Sequence, residues 1–185
     1  MRALKTLALI CLFALLGCAR EEKVQTADSF VGISDENLEQ AVVDNIQSRM
    51  NSQFSNEEDI VRNLPAWQKA VYVTWILEAE VNNGGFNQFY YNSSGQFADL
   101  SEDAFKAMGA IKFAQLAHQA NVVYNSIKDD LAKYDDGTIE SFSKSYKDNP
   151  LNDLDTKFYA LYKEEPLSEI RIKYIKDNIK QAETK

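Results

Sequence analysis

Apolar residues recur along most of this chain at the three-and-four spacing of an amphipathic helix, and they never alternate convincingly over more than four residues as a strand requires. From Ser34, a residue suited to an N-cap, with Asp35 and Glu36 in the first turn, the stripe Leu38, Ala41, Val42, Ile46 and Met50 predicts a first helix. Asn56, Glu57, Glu58 and Asp59 open a second, short one that stops before Pro65. Pro65 suits the first position of the next segment. That segment, residues 66–81, is apolar almost all round, with Trp67, Ala70, Val71, Tyr72, Val73, Trp75, Ile76, Leu77 and Val81. A helix without a polar half is buried on most sides, so this one is expected at the centre. Its exceptions Thr74, Glu78 and Asn82 fall at i, i+4 and i+8 and form one narrow polar seam.

Downstream, Gly84 and Gly85 are expected to end the central helix, followed by a short aromatic element, residues 86–91, and a second turn at residues 92–95. Asp99 or Ser101 caps a helix running to Met108, Gly109 breaks it, and residues 110–125 continue helically. Residues 128–137 read as a charged connection, and Phe142 with Tyr146 as a weak helix before Asn149 and Pro150. The last stretch, residues 154–179, reads as two helices joined near Glu165 and Pro166, with Leu154, Phe158, Leu161, Ile170 and Tyr174 facing inward. The expected class is all-α: a single compact multi-helix domain around a buried central helix, over residues 34–180. Residues 18–33 are polar and aperiodic and read as a flexible tether. No fixed-period repeat is present.

The N-terminus follows a different pattern. Arg2 and Lys5 precede an apolar run from Leu7 to Leu16, which leads into Gly17 and Cys18. The run is about half the ~20 residues a spanning helix needs, and Gly17-Cys18 departs from an Ala-x-Ala cleavage site. This start resembles a bacterial lipoprotein signal with its lipobox. The resemblance implies that residues 1–17 are a signal peptide, that Cys18 carries a diacylglyceryl group and fatty acyl chains such as palmitate, and that the mature protein is held on a membrane of the cell envelope. Ala19 stands where, in many Gram-negative bacteria, an Asp would retain the protein at the inner membrane, so the outer membrane is favoured in such a source.

Charge narrows the partners. The chain has 20 basic and 28 acidic residues and a net charge of −8. Loss of residues 1–17 removes Arg2 and Lys5 and no acid, which makes the mature chain more acidic. Such a surface repels phosphates, so direct nucleic-acid binding is not expected. Cys11 would leave with the signal and Cys18 carries lipid, so no disulfide forms. Stability must come from packing, with ten Phe, nine Tyr and two Trp as material.

Candidate chemistry is sparse. His118 is the only histidine and lies in a helical run, where it reads as a surface or packing residue. Without further cysteines, neither a thiol nucleophile nor a Cys/His metal site can be assembled. Glu78 and Glu80, two apart on a helix, face nearly opposite sides, and Lys69 shares the face of Glu80 and could neutralise it. Asp129-Asp130 and Asp135-Asp136-Gly137 lack the alternating ligands and closing Glu of an EF-hand. No catalytic residue, metal or cofactor is expected.

One segment is not generic: Glu78 to Gly95, with Asn82, Asn83, Gly84, Gly85, Asn87, Gln88, Asn92 and Ser93 among its aromatics. Two readings are open. In the structural one, Gly84 and Gly85 take positive φ. Asn82, Asn83, Asn92 and Ser93 bond backbone at two turns, Glu78 accepts N–H groups from the loop beyond it, and Phe86, Phe89 and Tyr90 plug the core. In the functional one, Glu78, Asn87, Gln88 and Asn92 surround a polar pocket for a small polar ligand or a partner's backbone.

This segment resembles the signature of a bacterial family named after a DNA-mimic protein. Residues 104–117, with Met108-Gly109-Ala110, agree with that likeness, as do residues 154–159 and 170–175. The resemblance spans residues 37–178. It implies an all-helical fold, and its named member is an acidic dimer that occupies the DNA-binding face of a helix-turn-helix regulator, so a homodimer stays open. A mimic needs rows of carboxylates, since B-DNA carries one charge per ~1.7 Å of axis. Asp35, Glu36, Glu39, Asp44, Glu57, Glu58 and Asp59 form the candidate acidic face, diluted by Arg49 and Arg62. An envelope address would keep the chain away from such regulators. The expected role is therefore contact with another envelope protein, with charge mimicry and a ligand-binding or hydrolytic pocket as alternatives.

Overall fold

The computed structural model describes residues 26–184, and the described residues form α-helices and 3₁₀ turns without a strand. The signal segment and Cys18 lie outside the described residues. In chain order the helices are α1 (Asp35–Gln47), α2 (Glu57–Arg62), α3 (Ala66–Tyr91), α4 (Ala98–Met108), α5 (Ile111–Leu131), α6 (Ile139–Lys144), α7 (Asn152–Leu161) and α8 (Leu167–Glu183). The all-α class expected from periodicity is the class observed.

Helix α3 is the hub, packing against α1, α2, α4, α7 and α8. Val71, Tyr72, Val73, Leu77 and Val81 are all buried along it, as an all-round apolar sequence requires. The helices α4 and α5 form a hairpin at Gly109, whose φ of +85° permits the left-handed cap. Beneath α3, Phe113 meets Phe105, Phe158 and Tyr162 at centroid distances of 4.9–5.7 Å. Phe105, Phe113 and Phe158 are fully buried, which contributes roughly 1.5–3 kcal/mol each.

Helix α4 begins at Ala98 with Phe97 at its N-cap, so Asp99 and Ser101 lie inside the helix they were expected to cap. Four further expectations change. Residues 27–30 belong to the folded body rather than to the tether: they form a 3₁₀ turn, Ala27 and Phe30 are buried, and Phe30 packs edge-on against Trp67 at 6.0 Å. Two apolar side chains sufficed to dock a segment whose polar majority reads as linker. Helix α5 runs on to Leu131, six residues past its expected end, and within the extension Ile127 packs half-buried against the core. Ser34 sits at the N-cap of α1, but its hydroxyl accepts from the Asn37 side chain at 3.0 Å instead of a backbone N–H.

The fourth change concerns α8. Its buried stripe is Leu167, Arg171, Ile175 and Ile179, while Ile170 and Tyr174, expected inward, are only half-buried. A charged residue at the second stripe position turned the apparent face by one residue.

Candidate functional site

Gly84 and Gly85 kink α3 rather than end it: the helix resumes beyond them and continues to Tyr91. Gly85 has φ +74° and ψ −179°, a region essentially restricted to glycine. Gly84, at φ −157° and ψ 26°, is not left-handed, so the expectation of positive φ holds at one glycine only. A kink frees backbone groups that must find partners. Here side chains from α7 and the loop between α6 and α7 supply these partners. Tyr159 donates its hydroxyl to the Val81 carbonyl at 2.7 Å, Tyr146 donates to the Gly84 carbonyl at 2.7 Å, and the Phe86 N–H donates to Asp155 Oδ1 at 2.7 Å.

The carboxylates exchange their expected roles. Glu78 does not hold the following loop. It pairs with Arg171 and accepts the Tyr162 hydroxyl at 2.6 Å. Glu80 holds the loop instead, accepting from Gln88 Nε2 at 2.8 Å, Asn92 Nδ2 at 2.9 Å and Ser94 Oγ at 3.0 Å. The kink rotates the chain beyond residue 84 and brings the loop under Glu80. Lys69 does not neutralise Glu80 but donates to the Arg62 carbonyl at 2.6 Å.

The amides are likewise redistributed. Asn87 is buried and joins α3 to the α6–α7 loop, donating to Ser145 Oγ at 2.7 Å and accepting from Asn149 Nδ2 at 2.9 Å. Asn82 donates to the Tyr162 hydroxyl at 3.0 Å. None of Asn82, Asn83, Asn92 and Ser93 bonds a backbone group through its side chain, so the two-turn reading fails for them. Gly95 fits close to backbone, where an added Cβ would lie 3.0 Å from the Tyr90 carbonyl oxygen. Phe86, Phe89 and Tyr90 are buried as expected. Glu78, Asn87, Gln88 and Asn92 therefore do not converge on one pocket.

Sequence reading missed Arg171, whose side chain is 2% exposed. Its Nε and Nη2 donate to both oxygens of Glu39 at 2.8 and 3.2 Å, and Nη2 also meets Glu78. Burial opposes the guanidinium charge, yet Glu78 and Glu39 hold its pKa above the ordinary value. The available signal was the four-residue spacing of Leu167, Arg171, Ile175 and Ile179.

Burial also raises the Asp155 carboxyl above the usual range, and the Phe86 N–H offsets this only in part. A carboxyl with a folded pKa above its unfolded value of ~3.9 binds more protons when folded between the two. Its contribution to stability therefore grows as pH falls through the raised value. Urea unfolding of wild type and Asp155→Asn between pH 7 and pH 4 is expected to show wild type gaining on the variant as acid is added.

The acidic face is largely engaged in internal contacts. Glu57 is buried and accepts from Tyr72 at 2.7 Å and Gln96 at 3.1 Å. Glu39 is held by Arg171, Asp35 lies 2.8 Å from Lys176 and Glu58 lies 2.8 Å from Arg62. Glu36, Asp44 and Asp59 remain exposed without an ion pair among the described residues. His118 is exposed with Nδ1 2.8 Å from Glu102 Oε2. Asp129 and Asp130 lie on α5 rather than in a loop, and Asp136 accepts from the Thr138 N–H and hydroxyl at 2.9 and 2.7 Å. Among the described residues no group of three His, Cys, Asp or Glu is placed to hold a metal ion, and no helix is long and apolar enough to cross a membrane.

No curated protein and no solved structure matches the chain significantly. The DMP19-like protein family matches residues 62–178, from the end of α2 to the last turns of α8. The match takes in the kink, Glu78, Glu80 and Arg171, while all seven candidate acids of residues 35–59 fall before it. Because the match covers more than half of its length, the chain belongs to the DMP19-like protein family.

Proposed function

We propose that this chain is a lipid-anchored domain of the cell envelope that works by binding another protein rather than by catalysis. The observation that carries the non-catalytic reading is the state of the Glu78–Gly95 segment. Its carboxylates and its buried amide are bonded to Arg171, Tyr162, Ser145, Asn149 and one another, which builds a kink instead of a reaction centre. The anchor rests on the lipobox likeness around Cys18. Two or more acyl chains give lasting attachment where one is marginal.

Cells fed labelled palmitate test the address. The wild-type chain is expected to carry label and to sediment with membranes, and Cys18→Ser to lose both. A wild-type chain of full precursor mass, unlabelled and in the soluble fraction, removes the anchor from the reading.

Charge mimicry is the second reading, supported by the family to which the chain belongs. Reversal of Glu57 is a poor test, because Glu57 is buried against Tyr72 and its loss would loosen α2 from α3. The exposed acids are the ones to change. With Glu36, Asp44 and Asp59 all replaced by Lys, a partner held by mimicry is expected to lose affinity ten-fold or more, and wild-type binding to weaken steeply between 50 and 200 mM salt. Binding that survives both, measured by calorimetry with a partner recovered by crosslinking, excludes mimicry by these residues.

A further inference from the structure

Beside the kink, a cleft of about 320 Å³ opens between the end of α3 and the start of α6, lined by Asn83, Gln88, Tyr91, Asn92, Ile139 and Phe142 among others. Its apolar part is bare. Ile139 is 85% exposed and Tyr91 37%, and the half-buried Phe142 ring lies against Tyr91 with centroids 4.4 Å apart. Single exposed apolar residues are ordinary, but three sharing one cleft form a patch of the kind partners cover.

The rim of this patch is acidic. Asp136 bonds Thr138 of the cleft wall, and Glu140 follows Ile139. Asp135 precedes Asp136 at the same rim, and the Tyr91 phenol is held above its ordinary pKa by burial and then by the nearby charge of Asp135. Glu80 stands behind Gln88 and Asn92. Glu140 has Lys144 at 2.8 Å, but among the described residues no lysine or arginine pairs with Glu80, Asp135 or Asp136. No cationic residue lines the cleft. Because Gln88 and Asn92 donate their amide N–H groups to Glu80, what they retain for a guest includes carbonyl oxygens, which only accept.

We infer that this cleft docks an arginine or lysine side chain of a partner protein, the aliphatic stem lying on Ile139 and Phe142 and the charged head among Asp135, Asp136 and the Asn92 carbonyl. Acceptors beside aromatic rings suit a guanidinium above all, since it is weakly hydrated, stacks on rings and carries five donors. A second copy of this chain fits poorly, because a net charge of −8 sets like charge against the rim. This proposal rests on the interaction-domain reading and gives it a surface.

The test uses the full chain in intact cells, with a benzophenone amino acid at Ile139 and, separately, at Val122, which is 57% exposed on α5. The expected adduct forms from position 139 and not from 122, and its mapped partner peptide carries Arg or Lys within a few residues of the crosslink. Asp135→Lys is expected to cut its yield at least five-fold without changing the melting temperature, and Asp135→Asn to cut it by less. An adduct to a second copy, to lipid or to glycan, or one indifferent to both Asp135 variants, overturns the proposal. If position 122 captures a protein and position 139 does not, the cleft falls while the interaction reading stands. If neither position captures a protein, nor the exposed Phe54 or Val31, both fall.

Discussion

Replacing Arg171 with alanine is expected to cost the domain about 3–5 kcal/mol, the range for breaking a buried ion pair from one side. The change leaves Glu39 and Glu78 facing each other with no cation between them, in a site where their side chains are only 18% and 16% exposed. It also parts three elements at once, since Glu39 is on α1, Glu78 on α3 and Arg171 on α8. Against a typical total stability of ~5–15 kcal/mol, that is enough to unfold a fraction of the molecules at physiological temperature. Urea unfolding followed by circular dichroism measures it directly. The triple change Arg171→Met, Glu39→Gln and Glu78→Gln is expected to recover most of the loss, because an apolar or neutral replacement of a whole buried ion cluster is often nearly neutral. Equal stability of wild type and Arg171→Ala would show that the pair contributes nothing to holding α8. Glu78→Gln alone should be milder than Arg171→Ala, because Glu39 still neutralises the guanidinium.

Gly85→Ala is the second large effect, with an expected loss of about 3 kcal/mol or more. A φ of +74° with ψ near 180° costs an L-residue of order 1–3 kcal/mol. In addition, the new Cβ falls directly on the Asp155 carboxylate. Relief requires the Asp155 side chain to turn away or α7 to withdraw, and either gives up the Phe86 N–H bond to Asp155. An unsatisfied buried donor adds about 1–3 kcal/mol. Gly109→Ala is the internal control: Gly109 has a similar φ of +85° but open space around its Cβ position. The difference between the two variants in urea unfolding reports the Asp155 clash together with the extra backbone cost of Gly85, whose ψ of −179° lies outside the left-handed helical region that Gly109 occupies at ψ 9°. A Gly85→Ala protein no less stable than Gly109→Ala would remove Asp155 from the account of the kink.

The second result bears on function because the kink positions the surface of the cleft. The kink turns residues 86–91 toward α6 and brings the loop beyond α3 under Glu80, which sets one wall of the acidic cleft. A variant that straightens α3 should lose partner crosslinks from Ile139 together with stability. Asp135→Lys is expected to lose the crosslinks alone.

The chain by itself determined what depends on local periodicity and composition. The spacing of Leu38, Val42 and Ile46, or of Leu154 and Phe158, makes sense only as a helix with one wet face, and the apolar residues on nearly all sides of residues 66–81 only as a buried one. Gly109 between two helical patterns could be read directly, because a left-handed cap is a local need. The family signature was equally legible, since it is a run of adjacent residues. Tertiary structure decided which carboxylate does what. Glu78 and Glu80 are two residues apart and chemically alike, and their partners, Arg171 and the Gln88–Ser94 loop, arrive from 93 residues away and through a kink. An arginine inside an apolar stripe looks like a solvated interruption until two acids from other helices reach it, because the free energy of burying that charge depends on neighbours that no local pattern contains. For the same reason the acidic face of residues 35–59 looked continuous on paper. Folding gave Glu39, Glu57 and Glu58 partners of their own, and charge left over for a ligand is what remains after such pairing.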